Sequence, residues 1–230
     1  MDTGNTTFNA VAERAIKFIP NEGTIGLGSG RAAAAFIHAL SKRVIAGLRI
    51  QCVPTSKASA TLAAQLGIPL VTLDEVNALD VAVDGADEVD PQGNLIKGLG
   101  GALVREKIVA ASARRLIIVV GVEKLVPVLG THGILPVEVI PFGLSLCSRR
   151  MIGLGLACRL RLSNGKTFVS DNGNYILDVQ VQAMDKPNEL EQTIRAIPGV
   201  VGTGLFLGMS PTVLIQRGES VEVREPRTTG

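Results

Sequence analysis

The segment ALDVAVDGADEVD, residues 78–90, decides how the rest of the chain is read. Its first half is apolar at almost every position, which suits a strand buried on both faces. Strands are buried that way in parallel sheets covered by helices. Its second half places four carboxylates, Asp84, Asp87, Glu88 and Asp90, in seven positions. With ALDVAVD as a strand, Asp84 stands at its carboxyl end, and open α/β sheets bind ligands outside that edge.

The flanking sequence repeats the same unit. TIGLG (24–28) reads as a short buried strand running into GSGRAAAAFIHALSKR, a glycine turn and a helix. LRIQCV (48–53) is a second strand, PTS opens a helix through Leu66, and IPLVTL (68–73) is predicted as a further strand. ALVREKIVAASA (102–113) has helical character and RLIIVVG (115–121) is a central strand. Residues 6–19 have the spacing of an amphipathic helix, with Thr6 or Thr7 as N-cap. Strand and helix alternate for over a hundred residues, the pattern of a parallel sheet with right-handed crossovers. From Leu135 the texture becomes α+β, and TVLIQRG and SVEVRE near the end are predicted to return to the main sheet.

Composition narrows the function classes. Of 230 residues 46% are hydrophobic, enough for a buried core and against disorder. The net charge is +2, from 23 basic and 21 acidic residues, which gives no footprint for nucleic acid. One Tyr, six Phe and no Trp make a base-stacking platform a poor fit. Cys52, Cys147 and Cys158 are far apart and form no CxxC, and His38 and His132 are the only histidines. Neither a disulfide framework nor a zinc site is expected. No basic-then-apolar leader and no bilayer-length apolar run is visible. The expectation is a soluble, cytoplasmic protein without nucleic-acid or membrane partners.

Two clusters carry chemistry. In Gly28-Ser29-Gly30-Arg31-Ala32, glycines let backbone N–H groups turn toward an anion, Ser29 adds a hydroxyl and Arg31 a forked cation. A dinucleotide fingerprint would need glycine where Arg31 stands and an acidic residue ending the second strand. A plain strand–helix turn without ligand is the other alternative; a small phosphate ester fits better. The second cluster is DGADEVDPQGNLIKGLGGALVREK, residues 84–107. Singly, Asp84 and Asp87 read as turn caps, Lys97 as a surface cation, and Glu106 as an exposed helix residue paired with Arg105 or Lys107. Glu88 and Asp90 read as a solvated loop. Together, Asp84, Asp87, Lys97, the glycines and Glu106 offer a base, an acid and a cation for a developing oxyanion. Proton abstraction beside a carbonyl needs those three roles.

These motifs, in this order, resemble ribose-5-phosphate isomerase of the A type. The resemblance rests on GLGSG, VPTSKASATLAAQLGIPL, DGADEVD and LIKGLGGALVREKIVA, with weaker matches in VGVEKLV, LPVEVIPF, DNGNYILDV and IPGVVGTGLF. It implies an aldose–ketose isomerase of the non-oxidative pentose phosphate pathway. Glu106 would be the base that moves a proton between C2 and C1. Lys97 and the amides of Gly98, Leu99 and Gly100 would stabilise the enediolate. Asp84, Gly85, Ala86 and Asp87 would hold sugar hydroxyls, with Asp84 helping to open the ring. Ser29, Gly30, Arg31 and Ala32 would hold the phosphate, and Lys124 would bind substrate. The resemblance further implies no metal, no organic cofactor, and a homodimer or homotetramer. The fold expected is α/β: a Rossmann-like parallel-sheet domain (1–130 plus 205–230) with a smaller inserted α+β domain (131–204).

The chain departs from the family in three places. Two hydroxyls of the usual Gly-Thr-Gly-Ser-Thr loop are lost to Arg31 and Ala32; Arg31 is expected to take over part of the phosphate binding. Leu99 interrupts a glycine run. A lysine of the first helix has no clear match, with Arg14 or Lys17 as substitutes. The altered loop motivates one alternative, a sugar-phosphate sensor that has lost turnover. An amino-sugar phosphate deaminase or a CoA transferase is another, though no histidine joins the constellation.

Overall fold

The computed structural model describes residues 8–226. In chain order its elements are α1 (Asn9–Ile16), β1 (Glu22–Leu27), α2 (Gly30–Ile45), β2 (Arg49–Pro54), α3 (Lys57–Gln65), β3 (Leu79–Asp84), β4 (Glu88–Val89), β5 (Leu95–Ile96) and α4 (Leu103–Ser112). There follow β6 (Ala113–Gly121), β7 (Ile134–Val139), α5 (Leu144–Gly153), β8 (Cys158–Leu160), β9 (Leu162–Ser163), β10 (Lys166–Thr167) and β11 (Tyr175–Gln180). The chain ends with α6 (Pro187–Arg195), β12 (Val200–Thr203), β13 (Leu205–Phe206), β14 (Thr212–Arg217) and β15 (Ser220–Arg224). The chain divides into two compact units, the first comprising residues 1–86, 105–124 and 209–230, the second residues 87–104 and 125–208.

The first unit is built on a six-stranded sheet in the order β15-β14-β6-β3-β1-β2. β2, β1, β3, β6 and β14 run parallel, and β15 closes the edge as the antiparallel arm of a hairpin with β14. Ile25, Leu27, Val83, Ile117, Val119 and Leu214 form the middle of its core. α2 meets that core through Phe36, Ile37 and Leu40, an apolar stripe at helical spacing, all at most 1% exposed. The fold is thus α/β, as expected, with one correction. IPLVTL is not a strand: Leu70 makes a single parallel bridge to Cys52, and Leu73–Glu75 turns into a short 3₁₀ helix. Pro69 removes one backbone donor there, and Thr72 with Glu75 forms a capping box that favours the helical turn. The proposed caps Thr6 and Thr7 lie outside the described residues; α1 begins after Phe8.

The second unit holds an antiparallel sheet ordered β12-β7-β11-β8, a small β13-β5-β4 sheet and the β9–β10 hairpin. Leu135, Val137, Val139, Leu177 and Val179 share one core with Cys147 and Met151 of α5 and Ile194 of α6. The expected inserted domain, 131–204, lies inside this unit, which also takes in 87–104, 125–130 and 205–208. β4 and β5 pair with each other and β5 pairs with β13, which ties 87–104 and 205–206 together. Glu88 and Asp90 are not a solvated loop either. Glu88 is 1% exposed and accepts the N–H groups of Gly130 and His132, each at 2.6 Å. Asp90 folds over its own turn, accepting from the backbone of Gln92 and Asn94 and from the Asn94 amide.

Candidate active site

In the first unit the carboxyl ends of β1 and β3 are neighbours, and Gly28 and Asp84 come into contact there. Asp84 is 4% exposed, and its Oδ1 accepts the N–H of Ser29 at 3.0 Å and of Gly85 at 2.7 Å. The approach is possible because residue 28 has no side chain: a Cβ there would lie 2.6 Å from the Asp84 Cα. Asp84 is therefore a turn cap that also stands at the carboxyl edge of the sheet. Gly30 continues the turn at φ +87°, a left-handed conformation glycine adopts without strain, and opens α2. Arg31 stands exposed in the first turn of α2, with no ion pair or hydrogen bond among the described residues. A Cβ on Gly85 would lie 3.8 Å from that of Ala32, so the turns after β1 and β3 are packed together. Ala86 follows Gly85 directly.

Beneath this turn lies a cluster of hydroxyls that sequence reading did not single out. Ser29 Oγ lies 2.8 Å from Thr55 Oγ1, 2.7 Å from Ser56 Oγ and 3.2 Å from Ser59 Oγ. Ser59 Oγ donates to the Gly28 carbonyl at 2.6 Å, and Ser56 caps α3 by accepting the Ser59 N–H. Thr55, Ser56 and Ser59 are all buried. The signal was present in PTSKAS, a strand end followed by an N-cap, but only pairing of β1 with β2 brings it under Ser29.

α4 runs back along the sheet. A Cβ on Gly26 of β1 would meet a methyl of Val109, so that glycine admits the helix closely. Glu106 is three residues earlier, about one helical turn nearer the carboxyl edge. It is 5% exposed and is no surface residue. Lys124 lies in a 3₁₀ turn, Val122–Lys124, just past the carboxyl end of β6, the strand beside β3. Ser29, Gly30, Arg31, Ala32, Asp84, Gly85, Ala86, Glu106 and Lys124 are thus brought to one edge of one sheet.

The second unit gathers the remaining residues. Asp87 donates its N–H to the Ile96 carbonyl at 2.8 Å and accepts the Leu99 N–H on Oδ2 at 2.9 Å. Lys97 is 3% exposed, not a surface cation; its N–H meets Gly204 O at 2.9 Å, and its ammonium lies 5.4 Å from the centre of the Phe206 ring. Gly98, at φ +99°, starts a turn closed by Gly101 N–H on Gly98 O at 2.9 Å. Leu99 and Gly100 form its exposed tip. Arg14 stacks on Phe18 at 5.8 Å, and Lys17 is exposed; among the described residues nothing links either to the turn at Ser29. Among the described residues no group of three or more His, Cys, Asp or Glu could hold a metal ion.

The first unit thus holds a buried carboxylate, Glu106, and a capped aspartate, Asp84; the second holds a buried ammonium, Lys97, and a glycine turn. Known proteins are similar to the chain over most of its length. The family model for ribose 5-phosphate isomerase A (phosphoriboisomerase A) matches residues 51–220. The ribose-5-phosphate isomerase A of Roseiflexus sp. (strain RS-1) is 49% identical over 219 residues, covering 94% of each chain. The solved ribose 5-phosphate isomerase A of Methanocaldococcus jannaschii superposes with a TM-score of 0.91 at 38% identity, over 97% of this chain and 100% of that one. A D-ribose-5-phosphate isomerase in complex with phospho-erythronic acid superposes equally well, with a TM-score of 0.91 at 38% identity over 95% and 97% of the two chains. The chain belongs to the ribose-5-phosphate isomerase A family.

Proposed function

We propose that this protein interconverts D-ribose 5-phosphate and D-ribulose 5-phosphate through an enediolate, with Glu106 as the base. What supports the assignment of the base is a carboxylate only 5% exposed in the first turn of α4, one turn beyond the Val109–Gly26 contact. Asp84 assists ring opening, which needs its own proton transfer. Glu106 then takes the C2 proton of the open aldose and returns it to C1, while the hydroxyl proton on O2 passes to O1. Lys97 and the Gly98 and Gly100 amides of the turn stabilise the charge that builds on the carbonyl oxygen, the Leu99 N–H being held by Asp87. Each such donor is worth about 2.7–4 kcal/mol when removed. Asp87 and Lys124 hold the sugar, and Ser29, Gly30 and Arg31 hold the phosphate. Relatives carrying the isomerase name give no support to the sensor alternative.

Glu106→Gln keeps the shape and removes the base. It should lower ketose formation from ribose 5-phosphate by about a thousandfold with little change in KM; a variant as active as the parent would end the assignment.

A homodimer or homotetramer in the cytoplasm belongs to the same proposal. Phe142, Ile152 and Leu154 are exposed apolar groups suited to subunit packing. The three free thiols suit a reducing compartment. No helix among the described residues is long and apolar enough to cross a membrane. Light scattering on the purified protein gives the subunit number directly.

A further inference from the structure

The carbonyls of Gly98 and Leu99 end on one side chain. Arg161 donates from Nη1 to both oxygens, each at 2.9 Å. Its Nε and Nη2 are held by the two oxygens of Asp178, the Nε bond being 3.0 Å. The guanidinium is 10% exposed and lies 6.0 Å from the Phe168 ring, which itself fills the space a side chain on Gly101 would take. The backbone of Arg161 is fixed on both sides, its N–H on Ile176 O at 2.8 Å and its carbonyl accepting from Phe168 N–H at 2.9 Å. Arg161 and Asp178 come from ACRLRL and ILDV, stretches that read as ordinary strands.

The consequence follows from peptide geometry. In a trans peptide the C=O and N–H point in opposite directions. With Gly98 C=O on Arg161, the Leu99 N–H points the other way, onto Asp87 Oδ2. With Leu99 C=O on Arg161, the Gly100 N–H likewise points away from the guanidinium, and among the described residues it has no acceptor. A planar fork can hold two carbonyls and a carboxylate at once; a lysine ammonium on a flexible stem cannot hold that geometry.

We propose that Arg161, oriented by Asp178, is a positioning residue for the isomerisation: it sets the direction of the Gly100 N–H toward the enediolate oxygen and that of the Leu99 N–H toward Asp87. This rests on the assignment of the 97–100 segment to enediolate stabilisation. Arg161 touches no reacting atom; it acts through the two peptide planes it holds.

The test compares Arg161→Ala, Arg161→Lys and Asp178→Asn with the parent enzyme. Steady-state rates with ribose 5-phosphate are measured beside inhibition by phospho-erythronic acid, whose carboxylate offers two oxygens resembling those of an enediolate. Misplacing the donors should lower kcat about a hundredfold in the Ala and Lys variants. KM should stay within about threefold, because the phosphate contacts are untouched. Affinity for phospho-erythronic acid should fall with kcat rather than with KM. Added guanidinium ion should restore part of the activity of Arg161→Ala. A kcat within twofold of the parent in the folded Lys variant, or a rise in KM alone, would overturn the proposal. If circular dichroism shows Arg161→Ala unfolded, Arg161→Lys and Asp178→Asn carry the same test. Failure of the underlying assignment of the 97–100 segment shows elsewhere, as full activity in Lys97→Met.

Discussion

Ser29 donates its backbone N–H to Asp84 Oδ1 at 3.0 Å across a separation of 55 positions. The bond joins the turn assigned to the phosphate with the aspartate assigned to ring opening. It exists because β1 and β3 are parallel neighbours whose carboxyl ends stop level. Side chains on the two loops are therefore not independent, and substitutions in one should be felt in the other.

Gly28→Ala tests that closeness. The added methyl has the Asp84 backbone and carboxylate in its way, so the strand ends must separate or Asp84 must release its two N–H donors. Urea unfolding should show a loss of about 2–3 kcal/mol, and kcat should fall although the glycine touches no reacting atom. A variant unchanged in both would mean the turn is softer than described.

Arg31→Ala bears on the phosphate. Arg31 is exposed at the start of α2 and has no acidic partner to lose, so stability should change by no more than about 0.5 kcal/mol. KM for ribose 5-phosphate should rise tenfold or more, with a smaller fall in kcat. An unchanged KM would leave phosphate binding to the backbone and hydroxyls.

Ser59→Ala removes the last link of the hydroxyl cluster. Gly28 O loses its side-chain donor, and Ser29 and Ser56 each lose a neighbour. The expected cost is about 1–2 kcal/mol by urea titration, with a rise in KM because the Ser29 hydroxyl is no longer held. Ser56→Ala should cost about 1 kcal/mol through loss of the α3 cap.

Thiol chemistry should separate the cysteines. Burial pushes the Cys52 thiol up to about 12 and raises Cys147 as well, whereas Cys158 is half-buried. At pH 8 Cys52 is then almost wholly protonated and unreactive, since the thiolate is the nucleophile. Labelling of the native protein with a disulfide reagent should modify Cys158 first and spare Cys52. All three should react in urea. Because its ordinary value is lower, Cys52 loses nothing to ionisation below about pH 9, and its burial destabilises the fold only as alkali would ionise it in the unfolded chain.

Much of this protein is legible in its sequence. Alternating apolar strands and helices dictate an α/β sheet, because a strand without polar positions must be covered on both faces. The same logic puts Asp84 at a strand end and Glu106 in the first turn of a helix, since both follow from local pattern. The short pieces depart from the local pattern for a physical reason. IPLVTL is apolar enough for a strand, but pairing, which propensity does not report, stops at one bridge. Glu88 and Asp90 looked solvated because charge usually is; each is buried among N–H groups, some of them supplied by a turn about forty residues away.

Local sequence thus determined the long elements of the main sheet and the strand end on which Asp84 stands. Only the tertiary structure decided which groups share a contact: Ser29 with Thr55 and Ser59, Asp84 with Gly28, Arg161 with the Gly98 and Leu99 carbonyls. Hydrogen bonds are directional and reach only about 3 Å, so those partnerships depend on strand order and register, which no single segment of the chain encodes.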